Sequence, residues 1–130
     1  MRFARRVFLA SGVYGLIVMA PLYFLEQRVG LDHPPAINHP EYYYGFAGVG
    51  IAWQLMFLLI GSDPVRYRMA MLPAVVEKVS FAMPIPILFA LGRVPAAMVA
   101  FATIDGFLAV LFIVVYLRTP AQGSSKNAPA

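Results

Sequence analysis

Glu77 and Lys78 stand side by side inside an apolar run from Met69 to Leu91, MAMLPAVVEKVSFAMPIPILFAL. An acid beside a base can hold an ion pair, grip a polar ligand or pass a proton. At about 1.5 Å per residue the run makes roughly 34 Å of helix against a hydrocarbon core of roughly 30 Å, so both charges fall far from either surface. A charge at that depth costs roughly 2.5 to 3.5 kcal/mol on insertion scales, which makes a paired or functional residue the default expectation. Asp105, Gln54 and Tyr14 are the polar groups of the other long apolar runs that matter here.

Composition shows what must position them. Of the 130 residues 61% are hydrophobic and only 12% charged, with a mean hydropathy of +0.74. A soluble domain has roughly 45 to 50% apolar residues and about 25% charge. The reading is an all-α integral membrane protein, a single transmembrane four-helix bundle over residues 1–118. Its helices are expected at about 7–25, 42–60, 64–91 and 96–117, with a disordered tail over 119–130 that lacks the apolar content to fold. Without cysteine, disulfides, thiol nucleophiles, thiolate metal sites and a vitamin-K-reductase-like redox pair are excluded. The net charge of +4 comes from arginines flanking apolar runs rather than from a basic face, so nucleic acid is not an expected partner.

In chain order, MRFARR precedes an uncharged run from Val7 to Leu25, read as an uncleaved first helix because a signal h-region has about 7 to 15 residues. Ser11 and Gly15 share a face suited to close helix approach, and Pro21 is placed to bend the far end. The segment from Glu26 to Glu41 is expected to be a turn-rich loop. Its His33 and His39, with Asp32 and Glu41, are weak candidates for a metal site such as zinc, but their spacing matches no metal motif. The favoured alternative is a helix start at Asn38 or His39, with Pro40 in the first turn and Glu41 near the positive end of the dipole. Tyr42, Tyr43 and Tyr44 then suit a membrane interface. Gly45, Gly48 and Ala52 are expected on the face of the second helix that touches its neighbours, as are Ala102 and Gly106 on the fourth. Asp63 and Pro64 read as the N-cap and first residue of the third helix. Pro73, four residues before Glu77, is expected to bend that helix beside the charges, and Pro84 and Pro86 to loosen its far half.

Counting Arg and Lys outside the spans, one side holds Arg2, Arg5, Arg6, Arg66, Arg68, Arg118 and Lys126, the other Arg28 and Arg93. This asymmetry predicts that the protein is multi-pass with both termini cytoplasmic. Depths then follow from about 1.5 Å per residue: roughly 12 Å for Tyr14, 10 Å for Gln54, 14 and 15 Å for Glu77 and Lys78, and 20 Å for Asp105. Every helix contributes to one polar slab. Neighbouring residues point about 100° apart on a helix, so Glu77 and Lys78 are expected to need different partners: Asp105 for the long Lys78 stem, Gln54 and Tyr14 for Glu77. Three ionised groups would leave the layer with a net charge of minus one, balanced if one acid holds a proton.

Beside a purely structural role, favoured on these residues, in which a buried ion pair with hydrogen bonds fixes helix register without any chemistry, three functions compete. The first is a non-enzymatic binding or accessory protein whose polar layer takes a small apolar ligand, a lipid or a partner helix. The second is a proton-coupled small-molecule transporter acting as a homo-oligomer. The third is a lipid-directed enzyme of the sterol-isomerase type, in which Glu77 and Asp105 would move protons at carbon. No nucleophile or cofactor signature is present, so neither a catalytic residue nor a cofactor is assigned. A b-type haem lacks transmembrane axial histidines.

The strings YYGFAGVGIAWQLMFLLIGSDPVRYR, VVEKVSF and IDGFLAVLFIVVYLR resemble small bacterial inner-membrane proteins with a DoxX-like four-helix layout. The resemblance covers helices two to four and implies a four-helix membrane protein, without any functional residue to carry across. Small multidrug transporters are similar in size, but they use an acid in the first span, which is absent here, and their dual insertion needs balanced loop charge.

Overall fold

The computed structural model describes residues 1–123, and these are helical, without a strand among them. Helix α1 runs Arg2–Met19, α2 Glu26–Asp32, α3 Pro40–Ser62, α4 Met71–Ala82, α5 Pro84–Ala90 and α6 Ala96–Arg118. Four segments are long and apolar enough to cross a membrane: Arg2–Phe24, Pro40–Ser62, Arg68–Ala90 and Ala96–Arg118. They run alternately up and down, so Arg5, Arg68 and Arg118 meet at one end, the arginine end. Arg5 Nη2 donates to the Ser62 carbonyl at 2.9 Å, Arg68 Nε to the Thr119 carbonyl at 2.7 Å, and the Arg118 guanidinium lies 6.0 Å from the Phe3 ring. The opposite end carries Tyr23, Tyr42, Tyr43 and Tyr44 and is the tyrosine end.

Each helix begins and ends for a local reason. Pro21 ends α1 in a 3₁₀ turn, Ala20–Phe24, because its ring removes the next intrahelical donor. The Leu22 carbonyl in that turn accepts the Tyr43 hydroxyl, and Tyr44 donates to Glu26 Oε2 at 2.8 Å. The segment expected as a loop after residue 25 contains the short helix α2, with Glu26 in its first turn and an Arg28–Asp32 ion pair of 3.0 Å across one turn. Helix α3 starts as expected, with His39 at the N-cap, Pro40 in the first turn and Glu41 beside it. The third span departs from the expected 64–91. Asp63 accepts the Arg66 and Tyr67 amides, making a single turn, and a 3₁₀ turn follows at Arg68–Ala70 before α4 begins.

Pro73 therefore lies in the first turn of α4, where a proline's missing donor has no intrahelical partner to lose. It does not bend the helix beside the charges. The interruption falls farther on, between α4 and α5, where Pro84 follows Met83 directly. Gly92 closes α5 at φ +70°, a left-handed conformation that glycine adopts without a Cβ penalty. At the end of α6, Thr119 is buried, its hydroxyl donating to the Val115 carbonyl at 2.7 Å. The ordered bundle thus extends one residue into the expected tail, while residues 124–130 of that tail lie outside the described residues.

The spans pack as two hairpins, α1 on α3 and α4 with α5 on α6, and the hairpins meet through fewer points between α1 and α6 and between α3 and α4. Their shared core sits at the arginine end. Phe8 stacks on Phe112 at 4.2 Å, Phe57 meets Phe112 edge-on at 5.1 Å, and Ile60, Met71 and Val115 complete the fully buried set. Large apolar side chains such as Phe46, Val49, Ile87 and Phe107 are exposed around the bundle. With four such spans, the apolar exterior is of the kind a multi-pass membrane protein presents.

Candidate functional site

The polar groups of the third and fourth spans meet just past this core. Residue 78 is seven positions beyond Met71 and four beyond Ala74, both buried at the interface with α6, so helical spacing carries Lys78 onto the same inward face. Its side chain is 5% exposed. Lys78 Nζ donates to Asp105 Oδ1 at 3.1 Å, the pairing expected across antiparallel helices. Glu77 and Asp105 are also largely withdrawn, with side chains 20% and 16% exposed. The charged side of α4 points into the bundle.

Glu77 departs from expectation. Its Oε2 lies 3.5 Å from Lys78 Nζ, so the lysine serves both acids although one of them is its immediate neighbour. Helical spacing separates the Cβ vectors of adjacent residues, but four methylenes of lysine are long enough to fold the ammonium back. The contact is an ion pair without hydrogen-bond geometry, and Glu77 Oε2 is a buried acceptor with no hydrogen-bond partner. The third side of the ammonium faces the Phe57 ring, 5.3 Å from its centroid.

Gln54 and Tyr14 do not join Glu77 through any hydrogen bond. Gln54 is buried where α1 crosses α3, with Nε2 donating to the Gly50 carbonyl at 3.0 Å and Oε1 lacking a partner. That side chain fills the space beside Gly15, where a Cβ would overlap Gln54 Oε1. Gly15 is required by this close approach, so the Ser11 and Gly15 face is the one that packs. Tyr14, partly buried on the next face of α1, lies within electrostatic range of Asp105 but makes no hydrogen bond to it. The five expected polar residues therefore divide into a triad, Glu77–Lys78–Asp105, a separate glutamine at the α1–α3 crossing, and a tyrosine at the margin.

Small-residue faces fare unevenly. Gly106 lies against Ala82, its built Cβ 3.8 Å away, and Ala102 is buried, as expected for the fourth span. On α3 the buried contact face is instead Ala47, Gln54, Phe57 and Gly61; of the expected face Gly48 does meet its neighbour, at the Tyr23 hydroxyl, while Gly45 and Ala52 are exposed. The correction is one of helical phase: the buried Gln54 sets the inward side, and Gly45 and Ala52 fall on the outer one. Phe57 is the member of the site that sequence reading missed. It stands three residues after Gln54, on the same face, and the rule that adjacent-turn residues share neighbours would have found it.

At the tyrosine end, His39 Nδ1 sits 3.1 Å from Glu41 Oε1 and Asp32 is engaged by Arg28. Among the described residues no three His, Asp or Glu side chains converge as a metal-ligand set, and His33 is not brought to His39 in one. Two surface clefts lie at the ends of the bundle, one of about 470 Å³ beside Arg2, Arg5 and Asp63 and one of about 370 Å³ between α2 and Ile37. Neither reaches the triad.

Comparison with family models, curated proteins and solved structures yields no match.

Proposed function

We propose that this chain is a multi-pass protein of the bacterial inner membrane, with both termini cytoplasmic, that works as a non-enzymatic binding or accessory protein. Its polar layer receives the polar group of a small apolar ligand, a membrane lipid or a partner helix. The observation that supports this reading is the largely buried carboxylate of Glu77, whose Oε2 accepts no hydrogen bond among the described residues. An unsatisfied buried acceptor costs about 1 to 3 kcal/mol, more when charged, and a group that completes it recovers that loss. Structural pairing alone would be better served by one acid and one base. A second acid beside the pair supports a role in binding.

Purification in mild detergent followed by native mass spectrometry tests the proposal. A lipid or small molecule retained by the natural protein and lost from Glu77→Gln is the expected result; an empty protein in both cases refutes it.

Proton-coupled transport, with the protein as a homo-oligomer, is the second reading, and the interrupted third span favours it. The break at Met83–Pro84 lies nearly two turns from Glu77, and α5 packs chiefly on α6 and α4. Such an arrangement allows the far half of the span to move without disturbing the aromatic core. Proton uptake by reconstituted vesicles that disappears in Glu77→Gln would select transport over static binding.

A further inference from the structure

The two ends of the bundle differ in charge. Arg2, Arg5, Arg6, Arg66, Arg68 and Arg118 share the arginine end with a single acid, Asp63, and no ion pair joins any of them among the described residues. At the tyrosine end Glu26, Asp32 and Glu41 balance Arg28 and Arg93, and Arg28 is closed on Asp32 at 3.0 Å. Several of the six arginines hold the fold: Arg5 and Arg68 donate to the carbonyls of Ser62 and Thr119, and Arg66 lies over the Tyr67 ring. Arg2 is exposed and has no such duty.

Arg2 and Arg5 line the cleft of about 470 Å³ at this end, with Asp63, Pro64 and Val65 across from them. That volume falls within the roughly 300 to 1,000 Å³ of small-ligand sites. The cleft opens where two spans stop, since Arg2 begins the first and Ser62 ends the second. Spans of 23 residues make about 34 Å of helix against a hydrocarbon core of roughly 30 Å, so their ends reach the layer that holds lipid phosphates. Along α1 from the cleft, Ala10, Val13 and Ile17 are exposed, and Val13 lies three turns from Arg2 on the same side. A polar cleft thus stands at the head of an apolar track.

The lining selects among head groups. A guanidinium presents a planar fork of donors that matches phosphate oxygens. Arg5 is fixed at the rim by its single Nη2 bond to Ser62 and has further donors beyond it. Asp63 Oδ1 accepts the Arg66 amide at 3.2 Å, and a carboxylate has acceptor positions to spare after one such bond. Two guanidiniums and one carboxylate leave a net single positive charge. A choline head brings neither net charge nor an N–H or O–H donor. A phosphate diester that carries hydroxyls brings one negative charge for the arginines and a donor for the acid.

We propose that this cleft seats the head of an anionic phospholipid, its phosphate held by Arg2 and Arg5, a head-group hydroxyl on Asp63 and an acyl chain along Val13 and Ile17. The proposal rests on the spans crossing a membrane and uses no residue of the Glu77–Lys78–Asp105 layer.

Native mass spectrometry of the full-length protein in detergent, titrated with dioleoyl phosphatidylglycerol or dioleoyl phosphatidylcholine, gives the affinity for the first lipid bound. Phosphatidylglycerol is expected to bind at least about tenfold tighter, and Arg2→Gln to lose about tenfold of its affinity. Arg118→Gln removes the same charge from the same end outside the cleft. Its loss is expected to stay below about threefold, because a charge that does not touch the head acts only through screening solvent. Glu77→Gln is expected to keep the preference, which separates this site from the polar layer. Equal affinity for the two lipids overturns the proposal. Equal losses in Arg2→Gln and Arg118→Gln also overturn it, by reducing the effect to diffuse attraction. A loss in Glu77→Gln that matches Arg2→Gln moves the lipid to the polar layer and overturns the cleft as its seat. Soluble glycerol phosphate that displaces phosphatidylglycerol at equal concentration overturns the lipid occupant in favour of a free anion.

Discussion

Replacing Lys78 by methionine is the most informative perturbation of the bundle. The ammonium is 3.1 Å from Asp105 Oδ1 and 3.5 Å from Glu77 Oε2. With an effective dielectric constant of about 20, each contact has a gross Coulomb energy of about 5 kcal/mol before desolvation is subtracted. Methionine matches the stem's volume but leaves two carboxylates facing each other in an apolar slab. Breaking a buried pair by removing one partner costs about 3 to 5 kcal/mol, and that is the loss expected for Lys78→Met. Asp105→Asn is milder, about 1 to 3 kcal/mol, because Lys78 retains Glu77 and an amide oxygen still accepts its hydrogen bond. The double variant Lys78→Met with Asp105→Asn regains only part of the loss, since Glu77 stays buried without a partner. Adding Glu77→Gln to that pair brings stability back to within about 1 kcal/mol of the starting protein, as a neutral layer carries no uncompensated charge. Reversible unfolding in mixed micelles, followed by the emission of Trp53, the single tryptophan, measures each value. A Lys78→Met protein as stable as the parent, or a double variant whose loss equals the sum of the single losses, would refute the coupled triad.

Gly15→Leu drives a side chain into Gln54 and is expected to cost about 1 to 3 kcal/mol in the same unfolding assay, whereas Gly45→Ala, with nothing within 4 Å of its built Cβ, leaves stability unchanged. Phe112→Ala removes the ring stacked on Phe8 at 4.2 Å and fully buried, for a loss of about 3 to 5 kcal/mol. Gly92→Ala forces a Cβ into a left-handed conformation at φ +70° and costs about 1 kcal/mol, read as earlier fraying of α5 by hydrogen exchange. A reporter fused after residue 130 is expected to be active only in the cytoplasm; activity solely on the other side would invert the topology.

Much of this architecture is legible in the amino-acid order because lipid imposes strong rules on it. Uncharged runs of about 20 residues mark spans, and Pro40 and Pro21 mark a start and an end for the same steric reason. The Lys78–Asp105 bond was readable from depth and antiparallel order. Two features were not. Depth arithmetic compares heights along the bundle and is silent on rotation about each helix, so it does not reveal that Gln54 faces Gly15 rather than Glu77. Proline position also misled at Pro73, because whether the ring bends a helix depends on where the helix begins, and that start was displaced from Pro64 by the Asp63 turn.

The pairing of Lys78 with Asp105 also bears on how the chain enters the bilayer. Its partners belong to consecutive spans joined by residues 91–95, and those spans are unequal: mean hydropathy 1.5 for Arg68–Ala90 against 2.5 for Ala96–Arg118. Two charges at roughly 2.5 to 3.5 kcal/mol each weigh against the first of these spans leaving the translocon alone. Held until its strongly apolar successor arrives, it would add the Asp105 hydrogen bond to the Glu77 contact on Lys78 before meeting lipid, and the two segments would partition as one unit. On the proposed membrane reading, the short link between them would keep the weaker span beside the one that carries it into the membrane.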